Sequence, residues 1–340
     1  MPLLTVPVID IGPYFRGGEA AKREVAREVN RACEEIGFLV INGHGVDARL
    51  SERMFATSRE FFDLSLEEKL RIEQRLNDAP RGFSPIAAEG VAYSLLKRAP
   101  GDLKESLSIG QVAVPDDDYY RNPAAGSSFA ENRWPERPRE LKALYTEYFR
   151  VMERLAVSLM RIFALALELP ETYFDRKIDR HISGFRVINY PDQPVEPLPG
   201  QLRAGEHSDY GTLTILRHDN PDRAGGLQVF TRAKEWVDVP VVAGSLVINL
   251  GDMMQRWTND RWVSTMHRVV NPPRDQALAS RRMSMVFFHA PNYDAIIECL
   301  PNCSEADNPP RHTALTCGDY IRMKISRQVN FESGEARDTN

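Results

Sequence analysis

Gly184-Phe185-Arg186-Val187-Ile188-Asn189-Tyr190, Leu213-Thr214-Ile215-Leu216, Leu227-Gln228-Val229-Phe230, Trp236-Val237-Asp238-Val239, Ser245-Leu246-Val247-Ile248-Asn249-Leu250, His267-Arg268-Val269-Val270 and Met283-Ser284-Met285-Val286-Phe287-Phe288 follow one another along the second half of the chain. Each is short, rich in β-branched and aromatic residues, and bounded by Gly, Pro, Asn or Asp, which is the signature of a strand. Seven or eight such segments without intervening helices predict a closed or double-sheet β architecture of the jelly-roll kind. No G-x-G-x-x-G or G-x-x-x-x-G-K pattern and no internal repeat occurs, so nucleotide-binding αβ folds and solenoids lose their main support.

Ahead of Ser183 the period is helical. From Ala20 to Ile36 the apolar residues Val25, Val29, Ala32 and Ile36 share one face, and Gly37 ends the helix before the buried strand Phe38-Leu39-Val40-Ile41-Asn42. A second amphipathic helix is predicted from Ala48 to Phe62, and Ser65-Leu66-Glu67-Glu68 has the capping-box pattern. Leu141 to Leu169 is the longest helical pattern, with Leu144, Tyr148, Leu155, Leu159, Ile162 and Ala166 on one face and Pro170 as its stop. Residues 76–135 are rich in Gly, Pro, Asp and Asn and read as loops and short strands. Long loops of this kind tend to wall a pocket, with Phe83, Tyr93, Leu95 and Leu107 as apolar candidates that favour a partly hydrophobic substrate. A terminal helix is predicted from Cys317 to Gln328, and a polar tail from Ser333. The fold class is thus mixed α and β, divided into an N-terminal helical and mixed region (1–120), a long scaffold-helix region (121–180), a jelly-roll core (181–295) and a C-terminal helix and tail (296–340), together one catalytic unit.

The 340 residues carry 43 Lys plus Arg against 48 Asp plus Glu, a formal charge of −5. That balance offers no global field for nucleic acid or an anionic membrane. Hydrophobic residues at 42% and charged residues at 27% describe an ordinary globular chain able to bury a core. Ile162 to Leu167, the most apolar short run, is far below the ~20 residues that span a bilayer. The first residues form no signal peptide. Four cysteines, Cys33, Cys299, Cys303 and Cys317, are too few for a disulfide scaffold and lack a zinc spacing, so they are expected as reduced thiols in a cytoplasmic protein.

His207-Ser208-Asp209 carries the chemistry. On an extended strand, residues i and i+2 point to one face, so imidazole and carboxylate converge. His267, at the start of a later β-segment, offers a third donor. Two histidines and one carboxylate on one face of an octahedron leave three positions open, as a non-haem Fe(II) oxygenase requires, whereas zinc more often takes a tetrahedral site. A solvated His–Asp ion pair is the ordinary alternative for an isolated H-x-D. Arg282-Met283-Ser284 follows the same period-two rule, placing Arg282 and Ser284 together. A guanidinium facing a barrel interior requires an anion, supplied either by an organic diacid or by a protein carboxylate. His44, His181, His218, His289 and His312 have no partner at ligand spacing, and they read as structural, as do Asp10 and Asp252. Lys97, Arg98 and Arg81 read as solvated loop charges.

With these residues in view, the sequence resembles the isopenicillin N synthase-like Fe(II)/2-oxoglutarate-dependent dioxygenases. The resemblance rests on His207 through Leu216, Gly226-Leu227-Gln228-Val229, Gly244 through Asp252, His267-Arg268-Val269, and Arg282-Met283-Ser284 with Phe288 and Pro291. Val6-Pro7-Val8-Ile9-Asp10 and Gly37-Phe38 through Asn42-Gly43-His44-Gly45 match the family's N-terminal region, so about residues 5–325 are covered. It implies a distorted double-stranded β-helix core flanked by helices. It implies His207, Asp209 and His267 as iron ligands, and Arg282 and Ser284, with Tyr190, on the distal carboxylate of 2-oxoglutarate. The chain has Ile188 and Asn189 where many members have Asn and an aromatic residue or His.

The implied cofactor is Fe(II), with 2-oxoglutarate and O2 as co-substrates. The implied reaction is hydroxylation or desaturation of a small-molecule metabolite, with release of succinate and CO2. Halogenation would need the carboxylate ligand absent, and Asp209 is present. Two other readings stand beside this one. The first is an oxidase of the isopenicillin N synthase type that uses no 2-oxoglutarate. The second is a non-catalytic β-barrel with a vestigial metal site.

Overall fold

The computed structural model describes residues 5–74, 80–92, 99–219 and 226–332, with side chains to residue 326. Tyr93, Leu95, Lys97 and Arg98, together with the tail from Ser333, lie outside the described residues. In chain order the strands that build the core are β1 (Val8–Asp10), β2 (Phe38–Asn42), β3 (Gly82–Ser84), β4 (Glu105–Ile109), β5 (Gly184–Tyr190) and β6 (Ala204–His207). They continue with β7 (Leu213–His218), β8 (Leu227–Phe230), β9 (Trp236–Asp238), β10 (Leu246–Leu250), β11 (His267–Val269) and β12 (Arg282–His289).

Two sheets result. The larger runs β1-β2-β10-β7-β12-β5-β4-β3, and the smaller runs β6-β11-β8-β9. Apart from the parallel β1–β2 pair, the pairings within them are antiparallel. This is the expected double-sheet jelly roll, with β5 through β12 supplying eight strands. One expectation fails in detail. The strands are not free of helices, because Asp252–Trp257 forms a short helix between β10 and β11. Gly251 allows it: a Cβ there would meet the Gly211 carbonyl oxygen at 2.2 Å, so only glycine lets the chain turn this close to the neighbouring loop.

Period-two alternation sorts the larger sheet into two faces. Leu107, Ile109, Phe185, Val187, Met283, Met285 and Phe287 point outward into one apolar cluster with the helices. Ile188, Tyr190, Val247 and Val286 point inward, joining Ala204, Leu227, Val229 and Val269 of the smaller sheet in a second cluster. The helix Leu141–Ala166 closes the outer face, and its predicted stripe of Leu144, Tyr148, Leu155, Leu159, Ile162 and Ala166 is buried throughout. The helices Glu19–Glu35 and Ala48–Phe62 fall within a residue or two of their predicted bounds. The Ser65–Glu68 capping box forms in both directions.

Phe149 stands where helix and sheet meet, fully buried and edge-on to Phe287 at 5.2 Å between ring centroids. Phe149→Ala removes a ring from a site with no freedom to collapse. It is expected to lower unfolding free energy by about 3–5 kcal/mol in a denaturant titration, with the fold retained.

Candidate active site

β6 and β11 are neighbours in register, with His207 directly opposite His267. Their rings therefore stand together, 4.2 Å between centroids. β6 ends at His207, so Asp209 sits just past the strand rather than on it. The expected convergence is reached all the same, because the following loop is pinned. The Asp209 carbonyl accepts from Asp252 N at 2.8 Å, Thr212 O from Gly251 N at 3.0 Å, and Thr212 N donates to His289 O at 2.9 Å. A Cβ on Gly211 would lie 2.1 Å from the His289 carbonyl oxygen, which holds this position to glycine.

Each of the three residues has one atom committed and one left over. His207 Nδ1 is 2.8 Å from Gly205 O, and His267 Nδ1 is 3.0 Å from Thr265 O. A carbonyl only accepts, so Nδ1 carries the proton in both rings and Nε2 keeps its lone pair. Asp209 Oδ2 accepts from Thr214 Oγ1 on β7 and from Asn249 Nδ2 on β10, the latter at 2.7 Å. Its Oδ1 faces both imidazoles, 3.9 Å from each Nε2. Among the described residues these three donors form the cluster able to share a metal ion, all within 4.8 Å of one another. Two imidazole nitrogens and one carboxylate oxygen, each oriented by an outer partner, suit Fe(II) with open positions.

Electrostatics keep the donors in the form a metal needs. Burial, helped by the neighbouring His267, pulls the His207 pKa down to about 4. Burial pushes Asp209 up, but His267, His207, Asn249 and Thr214 more than offset it, and its carboxyl ends below the usual value. The site thus holds a neutral imidazole and an ionised carboxylate near neutrality.

On β12, Arg282 and Ser284 face inward as expected, and Tyr190 of β5 stands directly opposite Arg282. The Arg282 guanidinium lies over the Tyr190 ring, 5.3 Å from its centroid, and Nη2 donates to Ser284 Oγ at 3.2 Å. Arg282 is 5% exposed, yet its Nη1 has no hydrogen-bond partner. The acid whose charge Arg282 feels, Asp219, is itself paired with Arg59 at 3.1 Å. The protein carboxylate that would account for this arginine is therefore engaged elsewhere. Gly226, at φ +63°, lies beside Nη1, with its Cβ position 3.7 Å away. A buried guanidinium with one free edge, a serine and a tyrosine beside it, fits a carboxylate.

Other sequence expectations divide. His44 is held by Gly244 O and Val46 N, Asp10 by Gly12 N, Asp252 by Ser264, Tyr320 and Lys324, and His312 by Asp260, all structural as read. His181 bonds Gln111 and Glu153, and His289 bonds Thr212. Asn189 points outward to Glu105 and Arg281, so its departure from the family pattern lies away from the clamp. Two readings are corrected. Phe83 and Leu107 are fully buried on the helix side and line no pocket; Ser84, Ser106 and Ser108 alternate with them, and Ser106 stands level with Ile188 and Ser284. Arg81 is not solvated but buried, donating to Pro80 O and Ser128 O. His218, read as structural, is held by Arg282, whose Nη2 lies 2.7 Å from its Nδ1. Thr214, Asn249 and His218 are the site residues the sequence reading passed over; the alternation that placed Thr214 and His218 on one face was a usable signal.

Comparison with known proteins agrees with the geometry. Residues 6–137 match the model of the non-haem dioxygenase in morphine synthesis N-terminal family, and residues 182–291 that of the 2OG-Fe(II) oxygenase superfamily. The chain belongs to this oxygenase family. A 2-oxoglutarate-Fe(II) type oxidoreductase of Emericella nidulans is 34% identical over 93% of this chain and 88% of its own. A homoarginine-6-hydroxylase of Glycine max is 31% identical over 94% of this chain and 96% of its own. The crystal structure of a full-length Neurospora crassa protein in complex with alpha-KG and thymine superposes with a TM-score of 0.82, at 30% identity over 94% of this chain and 96% of that one. Of the three functional readings the sequence leaves open, these relatives carry the first: the protein is an Fe(II)- and 2-oxoglutarate-dependent oxygenase. Among the described residues no helix is long and apolar enough to cross a membrane.

Two outcomes test the outer partners and the buried rings. Asn249→Ala removes one of the two donors to Asp209 Oδ2 and is expected to weaken Fe(II) or Co(II) binding about 10- to 100-fold, read by metal titration. Burial also pulls His218 and His289 far below the ordinary histidine value, alongside His207. Unfolding lets all three regain a value of about 6.5. The unfolded chain thus binds more protons below that pH, and the metal-free protein is expected to lose melting temperature as pH falls from about 6.5 toward 4. Asp209 acts mainly below that window, since its lowered pKa is felt around and below the ordinary carboxylate range.

Proposed function

We propose that His207 Nε2, Asp209 Oδ1 and His267 Nε2 hold the iron, and that Arg282, Ser284 and Tyr190 hold the distal carboxylate of 2-oxoglutarate. The observation that carries this reading is the free Nη1 of a buried arginine on β12, together with three metal donors whose other atoms are all committed. Iron and 2-oxoglutarate together supply the oxidising chemistry, consuming O2, releasing CO2 and succinate, and oxidising a C–H bond of the substrate. The chain's residues bind and orient. Gly205 O and Thr265 O fix which imidazole nitrogen is offered, Thr214 and Asn249 turn one oxygen of Asp209 to the metal, and the inward apolar residues Ile188, Leu227 and Val229 keep water out.

The substrate in this reading is a small molecule, hydroxylated or desaturated. The thymine bound to the Neurospora crassa protein and the homoarginine named for the Glycine max relative support that class. The inward wall beside the clamp supports a polar one, since Arg186 bonds Ser108 at 2.8 Å and Glu89 at 2.8 Å there. The proposal includes one catalytic unit across the four regions, supported by β1 and β2 pairing into the same sheet as β10 and β7. It also includes a cytoplasmic location, supported by four unpaired cysteines.

Anaerobic Fe(II) with 2-oxoglutarate should give a metal-to-ligand absorption band. His207→Ala should abolish it, and Arg282→Ala should raise the 2-oxoglutarate Kd on the order of a hundredfold, the cost of removing one partner of a buried charge pair. An undiminished band in His207→Ala, or wild-type affinity in Arg282→Ala, would overturn the assignment.

A further inference from the structure

His218 stands on β7 directly opposite Ser284 of β12 and so shares its inward face. Its Nδ1 lies 2.7 Å from Arg282 Nη2, the same nitrogen that donates to Ser284 Oγ at 3.2 Å. A guanidinium has donors only, so Nδ1 is the acceptor and the imidazole proton resides on Nε2. Burial and the adjacent Arg282 keep the ring neutral. Among the described residues two donors in this cluster are buried without a partner, Arg282 Nη1 and His218 Nε2. Unpaired buried donors are costly, and two in one cluster beside a cation point to an anion with two oxygens.

We propose that His218 is a direct member of the co-substrate clamp: with Ser284 it holds the Nη2 arm of Arg282, leaving Nη1 and its own Nε2–H as donors to the distal carboxylate of 2-oxoglutarate. Without it, Arg282 retains Ser284 alone and its long side chain regains rotamers, so the fork is no longer preorganised. The inference rests on the assignment of Arg282 to 2-oxoglutarate.

The test uses the full chain loaded anaerobically with Fe(II) and measures Kd by absorption and calorimetry. The ligands are 2-oxoglutarate, N-oxalylglycine and 2-oxobutyrate, the last of which lacks the distal carboxylate. His218→Ala is expected to weaken the two diacids about tenfold and leave 2-oxobutyrate unchanged. His218→Gln, whose amide both accepts and donates at similar reach, should recover most of that loss, and the shorter His218→Asn should not. Melting curves identify folded variants, and the Gln–Asn contrast carries the test if the alanine variant fails to fold. Equal weakening of all three ligands, or unchanged binding by His218→Ala or by both amide variants, overturns the role of His218. Arg282→Ala, measured beside them, separates the two ideas: if it too binds 2-oxoglutarate normally, the clamp assignment itself is wrong.

Discussion

Asp209 is where the two sheets and the chemistry are tied together. One carboxylate oxygen is held by Thr214 of β7 and Asn249 of β10, both in the larger sheet, and the other faces His207 and His267 of the smaller sheet. A carboxylate this deeply buried is costly unless its oxygens are satisfied. The larger sheet satisfies one and the imidazoles bracket the other. The glycines at 211 and 251 follow from the same requirement, because the loop reaches this position only by pressing its backbone against the β12 end and the Asp252–Trp257 helix. A side chain at either would move the carboxylate away from its donors, and with it one face of the metal site.

A second constraint lies at the other end of the inward face. Tyr190 is surrounded by Arg282, Arg203 and Lys104, with Asp102 the acid among them. Lys104 and Asp102 bond each other, and Arg203 is held by Pro191 O and Ser280. That leaves the charge of Arg282 uncompensated by any bonded acid among the described residues, in surroundings that burial makes unfavourable for it. Burial also pushes the Tyr190 pKa up, against the pull of these cations, so the phenol stays a neutral hydroxyl. Uncompensated positive charge with free donors on β12 suits an anion, and the donors of His207, Asp209 and His267 suit a metal ion.

The alternation of strand residues made most of this legible in the sequence. His207, Asp209, His267, Arg282 and Ser284 have side-chain types whose chemistry is distinctive; period two aims Arg282 and Ser284 inward, while Asp209 reaches His207 through the pinned loop beyond β6. Phe83 and Leu107 are misassigned when read as apolar loop residues, since they lie opposite each other on the paired strands β3 and β4. Apolar character alone does not say which face of a strand is the pocket, and here the helix Leu141–Ala166 claims the apolar one. His218 was passed over for a different reason. Its partner is not adjacent in sequence but across the β7–β12 pairing, and only the register of Ser284 with His218 brings it to Arg282. Thr214 and Asn249 likewise look like ordinary strand residues until β7, β10 and the Asp209 loop are placed together.

The inward face around Arg282 also has an energetic character of its own. It contains polar atoms that the fold positions but does not pair, a guanidinium nitrogen of Arg282 and an imidazole N–H of His218. In a protein interior such atoms lower the stability of the free chain, and whatever pairs with them raises it by mass action. The surrounding core explains how the chain tolerates this. Ile188, Val247, Val286, Leu227 and Val229 pack between the sheets, while a larger cluster packs the outer face against the helices. The buried apolar surface of these clusters offsets that cost, so the barrel tolerates the unpaired Arg282 Nη1 and His218 Nε2.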